Sequence, residues 1–193
     1  MIKIAITGNI ASGKSAVQNI LEEKGFKVLD TDKTGHKLLN SINEIKTTFK
    51  SYDIFDETGE ISRDKLGKLI FNNKDLKTKL ETILHPAIRK EILKFFTKNK
   101  SETAVFVGIP LLFETGMRNI FDKALLIYTD DVTRKKRLIK RNSYTPEYAD
   151  IRMKSQMSQD EKKLLCDYVI YNNGTISDLY KAVNDFLDNL SRQ

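Results

Sequence analysis

Residues 6–21 read ITGNIASGKSAVQNIL, and within them Gly8, Gly13, Lys14 and Ser15 fill the pattern G-x-x-x-x-G-K-[ST]. That pattern carries meaning only where a strand precedes it and a helix follows. Residues 2–7, IKIAIT, form an apolar run of strand length, as a buried parallel strand requires. After Lys14 the period changes. Val17, Ile20 and Leu21 fall at i, i+3 and i+4, on one helical face, and Gly25 stands where such a helix would end. Strand, glycine-rich turn and helix together make a phosphate-binding loop. Glycines let backbone N–H groups turn inward on phosphate oxygens, and the helix N-terminus adds partial positive charge. Lys14 is placed to reach the β- and γ-phosphates of a bound nucleotide, and the Ser15 hydroxyl to bind Mg²⁺.

The rest of the chain fits an α/β class. Residues 26–30, 105–113, 123–129 and 167–171 read as further strands. Leu179, Val183, Phe186 and Leu190 recur at helical spacing near the C-terminus. Strands alternating with helices predict a parallel sheet flanked by helices. Two stretches break the alternation. Residues 31–100 are rich in Lys, Asp, Asn and Leu, with no convincing strand, and read as an inserted helical subdomain. Residues 142–163 are polar, with Tyr144-Thr145-Pro146 as a break, and read as a lid. The nucleotide-binding core is then 1–30, 101–141 and 164–193.

At 193 residues and 40% hydrophobic composition the chain can bury a sizeable core. No apolar run approaches the ~20 residues of a membrane span, so no membrane association is expected. Cys166 is the only cysteine, which excludes an intrachain disulfide. With no basic leader ahead of the loop, a cytoplasmic setting is expected. Cys166 itself reads as a small apolar side chain.

Net charge is +7, and the excess concentrates in TRKKRLIKR, residues 133–141. Arg134, Arg137 and Arg141 lie on one helical stripe, which is either a solvated face or a grip on phosphates. Aromatic residues do not interleave with it, so a nucleic-acid stacking surface is not expected.

The segment Leu29-Asp30-Thr31-Asp32 closes the second strand. Open parallel sheets bind ligands beyond the carboxyl ends of their strands. A kinase needs a carboxylate there to orient or deprotonate the attacking hydroxyl and to help hold Mg²⁺. Either aspartate could instead cap the next helix. His36, one turn after Asp32, faces the site or solvent. His85, before Pro86, reads as a turn residue at a helix–helix break. No Cys-His cluster suggests zinc.

Seven segments in order resemble the dephospho-coenzyme A kinase family. They are TGNIASGKS; Leu29-Asp30-Thr31-Asp32; Leu84-His85-Pro86 with Arg89; and Ile109-Pro110-Leu111-Leu112-Phe113-Glu114. The last three are Arg137-Leu138 with Arg141, Arg152 with Gln156, and Val169-Ile170-Tyr171-Asn172-Asn173-Gly174. The resemblance implies ATP-dependent phosphorylation of the 3′-hydroxyl of dephospho-coenzyme A, the last step of coenzyme A synthesis. It implies Asp32 as base and metal-side carboxylate, with Lys14 and Arg137 as catalytic cations. Asn9, Ala11, Ser12, Gly13, Lys14, Ser15, Ala16, Arg141 and Asn172 would then contact ATP. Asp32, His85, Arg89, Leu112 and Arg137 would contact the acceptor.

Several positions depart from the family pattern. Asn9 and Ala11 replace loop glycines; Asn9 tolerates left-handed backbone, whereas alanine predicts that position 11 needs no positive φ. Gly108 stands where many members carry Asp, and Tyr171 also replaces Asp.

Three rival readings carry distinct signals. A nucleoside or nucleotide kinase would share the architecture but not the ordered segments. A GTP switch would use Asp56-Glu57-Thr58-Gly59 as D-x-x-G, yet no N-K-x-D follows late in the chain, and DETG reads as a polar turn. A nucleic-acid module would rest on the basic stripe alone.

Overall fold

The computed structural model describes residues 1–71 and 73–192. The chain divides into two compact units, one of Met1–Leu29 with the chain from Asn99 onward, the other Asp30–Lys98.

The first unit is built on a sheet in the order β2-β3-β1-β4-β5. β1 (Ile2–Thr7) lies at its centre and pairs in parallel with β3 (Ala104–Gly108) and β4 (Lys123–Tyr128). β5 (Tyr168–Tyr171) continues from β4, also in parallel, and β2 (Lys27–Asp30) forms the far edge. All five residues of β3 are buried, which explains their unbroken apolar character in the sequence. Helices α1 (Lys14–Glu23) and α9 (Ile176–Ser191) press Val17, Ile20, Leu21, Leu179, Val183 and Phe186 onto Ile4, Ile6, Phe106 and Ile127. Phe106 meets Phe26 and Phe186 edge to face, with ring centres 5.3 and 6.4 Å apart. α9 begins in a capping box, Thr175 with Asp178, which fixes where the helix starts after the Asn-Asn-Gly turn.

The second unit is helical. α2 (Thr31–Ser41), α3 (Asn43–Thr48), α4 (Arg63–Phe71) and α5 (Lys74–Lys98) enclose Leu39, Ile45, Phe49, Ile54, Leu66, Leu76 and Leu80. The absence of an expected strand over 31–100 agrees with this, apart from one bridge between Phe55 and Ile61. That bridge closes the DETG segment. The Asp56 carboxylate accepts from Thr58 N, Thr58 Oγ1 and Glu60 N, and Gly59 turns the chain at φ 79°. It is a polar turn, as its composition suggested.

Pro86 does not break a helix, contrary to the expectation at Leu84-His85-Pro86. α5 runs through it for 25 residues. A proline inside a helix loses one backbone bond. Buried Leu76 and Leu80 before it and Ile92 and Phe96 after it hold the helix on either side. His85 is therefore a half-buried helical residue rather than a turn residue.

The polar stretch after α6 (Asp131–Asn142) folds into α7 (Pro146–Lys154) and α8 (Gln159–Leu165). Pro146 sits at the first turn of α7, where its missing N–H costs nothing, and the Thr145 side chain caps the helix. Among the described residues no helix is long and apolar enough to cross a membrane.

Candidate active site

The loop between β1 and α1 starts tight and ends open. Ser12 N donates to Asn9 O, and Ala16 N and Val17 N donate to Gly13 O. Gly13 takes φ 93° at the head of α1, and no side chain caps the helix there. A helix start with no side-chain cap, behind a glycine-rich turn, is the arrangement that binds phosphate. Ser15 is exposed, while Lys14 is buried with 8% exposure.

Ala11 corrects an expectation. It takes φ 63°, in the left-handed region, whereas Asn9 is not among the residues with positive φ. The loop needs left-handed backbone at its third variable position. Alanine adopts it there at a cost of about 1 kcal/mol, set by its Cβ.

The loop is held from behind. Asn172, 7% exposed at the end of β5, donates its amide to Ser12 O at 2.8 Å. Thr129 Oγ1 lies 2.9 Å from the same carbonyl oxygen and 3.1 Å from Asn172 O. A Cβ on Gly13 would stand 2.0 Å from the Asn172 amide nitrogen, so glycine is required there on space as well as on φ. Asn172 therefore buttresses the loop through its backbone.

The loop is also roofed by the stretch joining α7 to α8. Asn9 Nδ2 donates to Met157 O at 2.9 Å, and Ile10 N donates to Gln156 Oε1 at 2.8 Å. Lys162, fully buried on α8, binds Glu114 at 2.9 Å and Pro110 O at 3.0 Å. Buried ammonium groups need such partners. Pro110-Leu111-Leu112-Phe113-Glu114 is thus anchored at both ends by one lysine. Leu112 is fully buried, so a ligand contact there would fall to backbone or neighbours.

A cavity of about 700 Å³ opens beside the loop. Asn9, Asp130, Arg134, Lys135, Asp150, Gln156 and Gln159 contribute to its wall. The basic stripe grades from inside to outside. Arg134 is 3% exposed and 3.3 Å from Asp131, yet its Nε and Nη1 have no hydrogen-bond partner among the described residues. Burial pushes its pKa down from the ordinary arginine value, and Asp131 opposes this. Arg137 is half-buried, and its charge is a minor contribution to the lowered pKa of Asp130, which hydrogen bonds from Thr133 dominate. Arg141 is exposed and donates to Asn142.

In the helical unit a second cavity, about 280 Å³, is lined by Asp32, His36 and Arg63 among apolar residues that include Leu39, Leu66 and Leu84. Asp30 is the helix cap: its carboxylate accepts from Asp32 N at 2.8 Å and Lys33 N at 3.3 Å. Asp32 lies in the first turn of α2, and its side chain is not the cap. Burial lowers the His36 pKa from the ordinary histidine value and Arg63 lowers it further, with Asp32 and Asp30 opposing. His85 and Arg89 do not line this cavity; Arg89 is exposed.

Sequence reasoning missed Arg63, Lys162 and Gln18. For Gln18 a signal existed, since it lies at i+4 from Lys14 on the inward face of α1. Lys162 follows a capping box, Ser158 with Glu161, that marks the start of α8. Nothing in its surroundings in the sequence separates it from solvated lysines. Among the described residues no three His, Cys, Asp or Glu side chains gather as a metal site.

A central parallel strand running through a G-x-x-x-x-G-K-S loop into an uncapped helix defines a phosphate-loop nucleotide-binding protein. The family model for dephospho-CoA kinase matches residues 2–178. The chain belongs to the dephospho-CoA kinase family. A curated dephospho-CoA kinase from Fusobacterium nucleatum is 37% identical over 190 residues, covering 97% of each chain. A solved structure from Thermus thermophilus superposes with a TM-score of 0.85 at 32% identity, covering 98% of this chain and 97% of that one. The dephospho-CoA kinase from Campylobacter jejuni gives a TM-score of 0.75 at 32% identity, with the same coverage.

Proposed function

We propose that this chain transfers the γ-phosphoryl group of ATP to the 3′-hydroxyl of dephospho-coenzyme A, giving coenzyme A and ADP. The observation that carries this reading is the open, uncapped head of α1 behind Gly13 in a chain of this family. Incubation with ATP, Mg²⁺ and dephospho-coenzyme A tests it, with coenzyme A as the expected product.

In this reading Asn9, Ala11, Ser12, Gly13, Ser15 and Ala16 surround the phosphates, largely through backbone N–H groups. Lys14 follows the charge that gathers on the γ-phosphoryl oxygens, and Arg137 meets it from α6. Asp32 accepts the proton of the attacking hydroxyl as the new P–O bond forms and the bond to the β-phosphate oxygen breaks. The helical unit holds the acceptor, and its cavity suits a ribose–base moiety: apolar walls with Thr31, Asp32, His36 and Arg63 as the polar groups. His85 and Arg89 then serve the remainder of the acceptor. Arg141 supports the nucleotide from the exposed end of the stripe, and Asn172 supports it indirectly, through the loop.

For Mg²⁺ the exposed Ser15 hydroxyl would offer one oxygen, and Asp32 is the carboxylate that the family resemblance would add; Mg²⁺ ordinarily binds one or two protein oxygens together with substrate phosphates and water. When bound it would neutralise charge on the β- and γ-phosphates. Arg134 is buried, so the stripe at 134–141 is not a continuous exposed band and suits small phosphate ligands rather than nucleic acid. A cytoplasmic setting suits the lone Cys166, whose thiol burial pushes up to about 12, out of reach of thiolate chemistry at neutral pH.

Within the stretch 142–163 read as a lid, residues 143–155 are the part proposed to move. Gln156, Met157 and Lys162 are tied to the core by buried or half-buried bonds, whereas α7 is joined to α6 by the partly exposed pair Lys135–Asp150. Lids open on weak, exposed contacts. Limited proteolysis of the free chain is expected to cut within 143–155 and to slow when a bisubstrate analogue binds. Equal cleavage with and without the analogue would count against a lid.

A further inference from the structure

Gln18 is 3% exposed, on the face of α1 that also carries Lys14. Its Oε1 accepts from the Lys14 ammonium at 3.3 Å. Its Nε2 is buried with no hydrogen-bond partner among the described residues. Buried amides are ordinarily satisfied, and an exception asks for a reason. A glutamine put inside a core only to fill space would be replaced by leucine or methionine without that cost.

Gly108, the last residue of β3, supplies the second observation. A Cβ built on it would stand 2.4 Å from Gln18 Nε2, 2.8 Å from Cδ and 3.1 Å from Oε1. All three nearest atoms belong to one amide group. Gly108 has no positive φ that would demand glycine. The space beside the end of β3 is therefore taken by the Gln18 amide, and a residue with a side chain at 108 would displace it.

We propose that Gln18 is a positioning residue for Lys14, and that Gly108 is glycine because it leaves room for the Gln18 amide. In the free chain Gln18 holds the ammonium at one place on the floor of the phosphate loop. Without it the lysine ammonium loses one of its anchors, and nucleotide binding must order the side chain further. This rests on the reading that Lys14 binds the β- and γ-phosphates.

The cost of ordering falls on binding, equally in ground and transition states, so it shows in affinity rather than in turnover. In Gln18→Ala, KM for ATP and Kd for ADP are expected to rise about tenfold, the size of the cost of ordering one long side chain. Turnover at saturating ATP and KM for the acceptor should stay near wild type. Gly108→Ala should do the same, because swinging the flexible end of Gln18 aside relieves the collision without unfolding the strand. Gln18→Ala with Gly108→Ala should lose no more than Gln18→Ala alone, since the alanine at 108 then meets no amide.

The experiment measures Kd for ADP by calorimetry in the wild type and these three variants, with kcat, KM and thermal stability beside it. Gln18→Met, which keeps length and volume but lacks the acceptor, replaces Gln18→Ala should that variant fail to fold. ADP affinity within twofold of wild type in the Gln18 variant, or losses that add in the double variant, would overturn the proposal. A fall in turnover without a change in ADP affinity would overturn it too. Wild-type turnover is measured first, so failure of the kinase reading is distinguished from failure of the role of Gln18.

Discussion

Lys14→Ala is expected to lower kcat/KM for ATP by 10²-fold or more, on the order of 3 kcal/mol of transition-state stabilisation. In the proposed reaction the lysine ammonium tracks the γ-phosphoryl charge, so the loss should fall on kcat as well as on affinity. This separates Lys14 from Gln18, whose removal should act on affinity alone. The fold should tolerate the change. Lys14 opens α1, where alanine is the best helix former. Removing the ammonium takes away the hydrogen bond to Gln18 Oε1 among its contacts, a loss that a packed core tolerates. Near-normal turnover in a folded variant would mean that the loop is not the phosphate site.

Asp32→Asn is expected to lower kcat by about 10²-fold while stability changes little. Asp30, and not Asp32, satisfies the first N–H groups of α2, so the variant keeps its cap. It loses a negative charge in the first helical turn, worth only about 0.3–1 kcal/mol at an exposed terminus. A large stability loss with unchanged kcat would therefore contradict both the cap assignment and the catalytic role. Phosphoryl transfer of loose character needs little proton abstraction early, which holds the base effect near that size. A larger loss that more Mg²⁺ partly restores would place Asp32 on the metal side as well. Unchanged kinetics would leave the catalytic carboxylate elsewhere, although Asp30 is committed to its two backbone donors in this structure.

The sheet and the loop were legible because their signals are local. The strand IKIAIT, the glycines and the helical face Val17, Ile20, Leu21 occupy one continuous stretch, and each buried strand reads as an apolar run. The helical character of 31–98 was equally legible from composition. Three features were not. Pro86 suggested a break, but burial of Leu76, Leu80, Ile92 and Phe96 overrides one missing backbone bond. Ala11 suggested ordinary backbone, but loop closure imposes φ 63°. The bond from the Asn172 amide to Ser12 O was hidden as well, because it joins residues 160 apart in the chain. Lys162 with Glu114 and Gln18 with Gly108 were hidden for the same reason, since only folding brings the partners together.

The most direct measurement follows the label. Incubate the chain with ATP labelled at the γ-phosphate, Mg²⁺ and dephospho-coenzyme A, separate the products, and locate the label by mass and phosphorus NMR. The expected result is label on the ribose 3′-oxygen of coenzyme A, in amount equal to the ADP formed, and lost with Lys14→Ala. ATP consumed with label only in inorganic phosphate, or transferred to a nucleoside acceptor in preference to dephospho-coenzyme A, would contradict the proposed function.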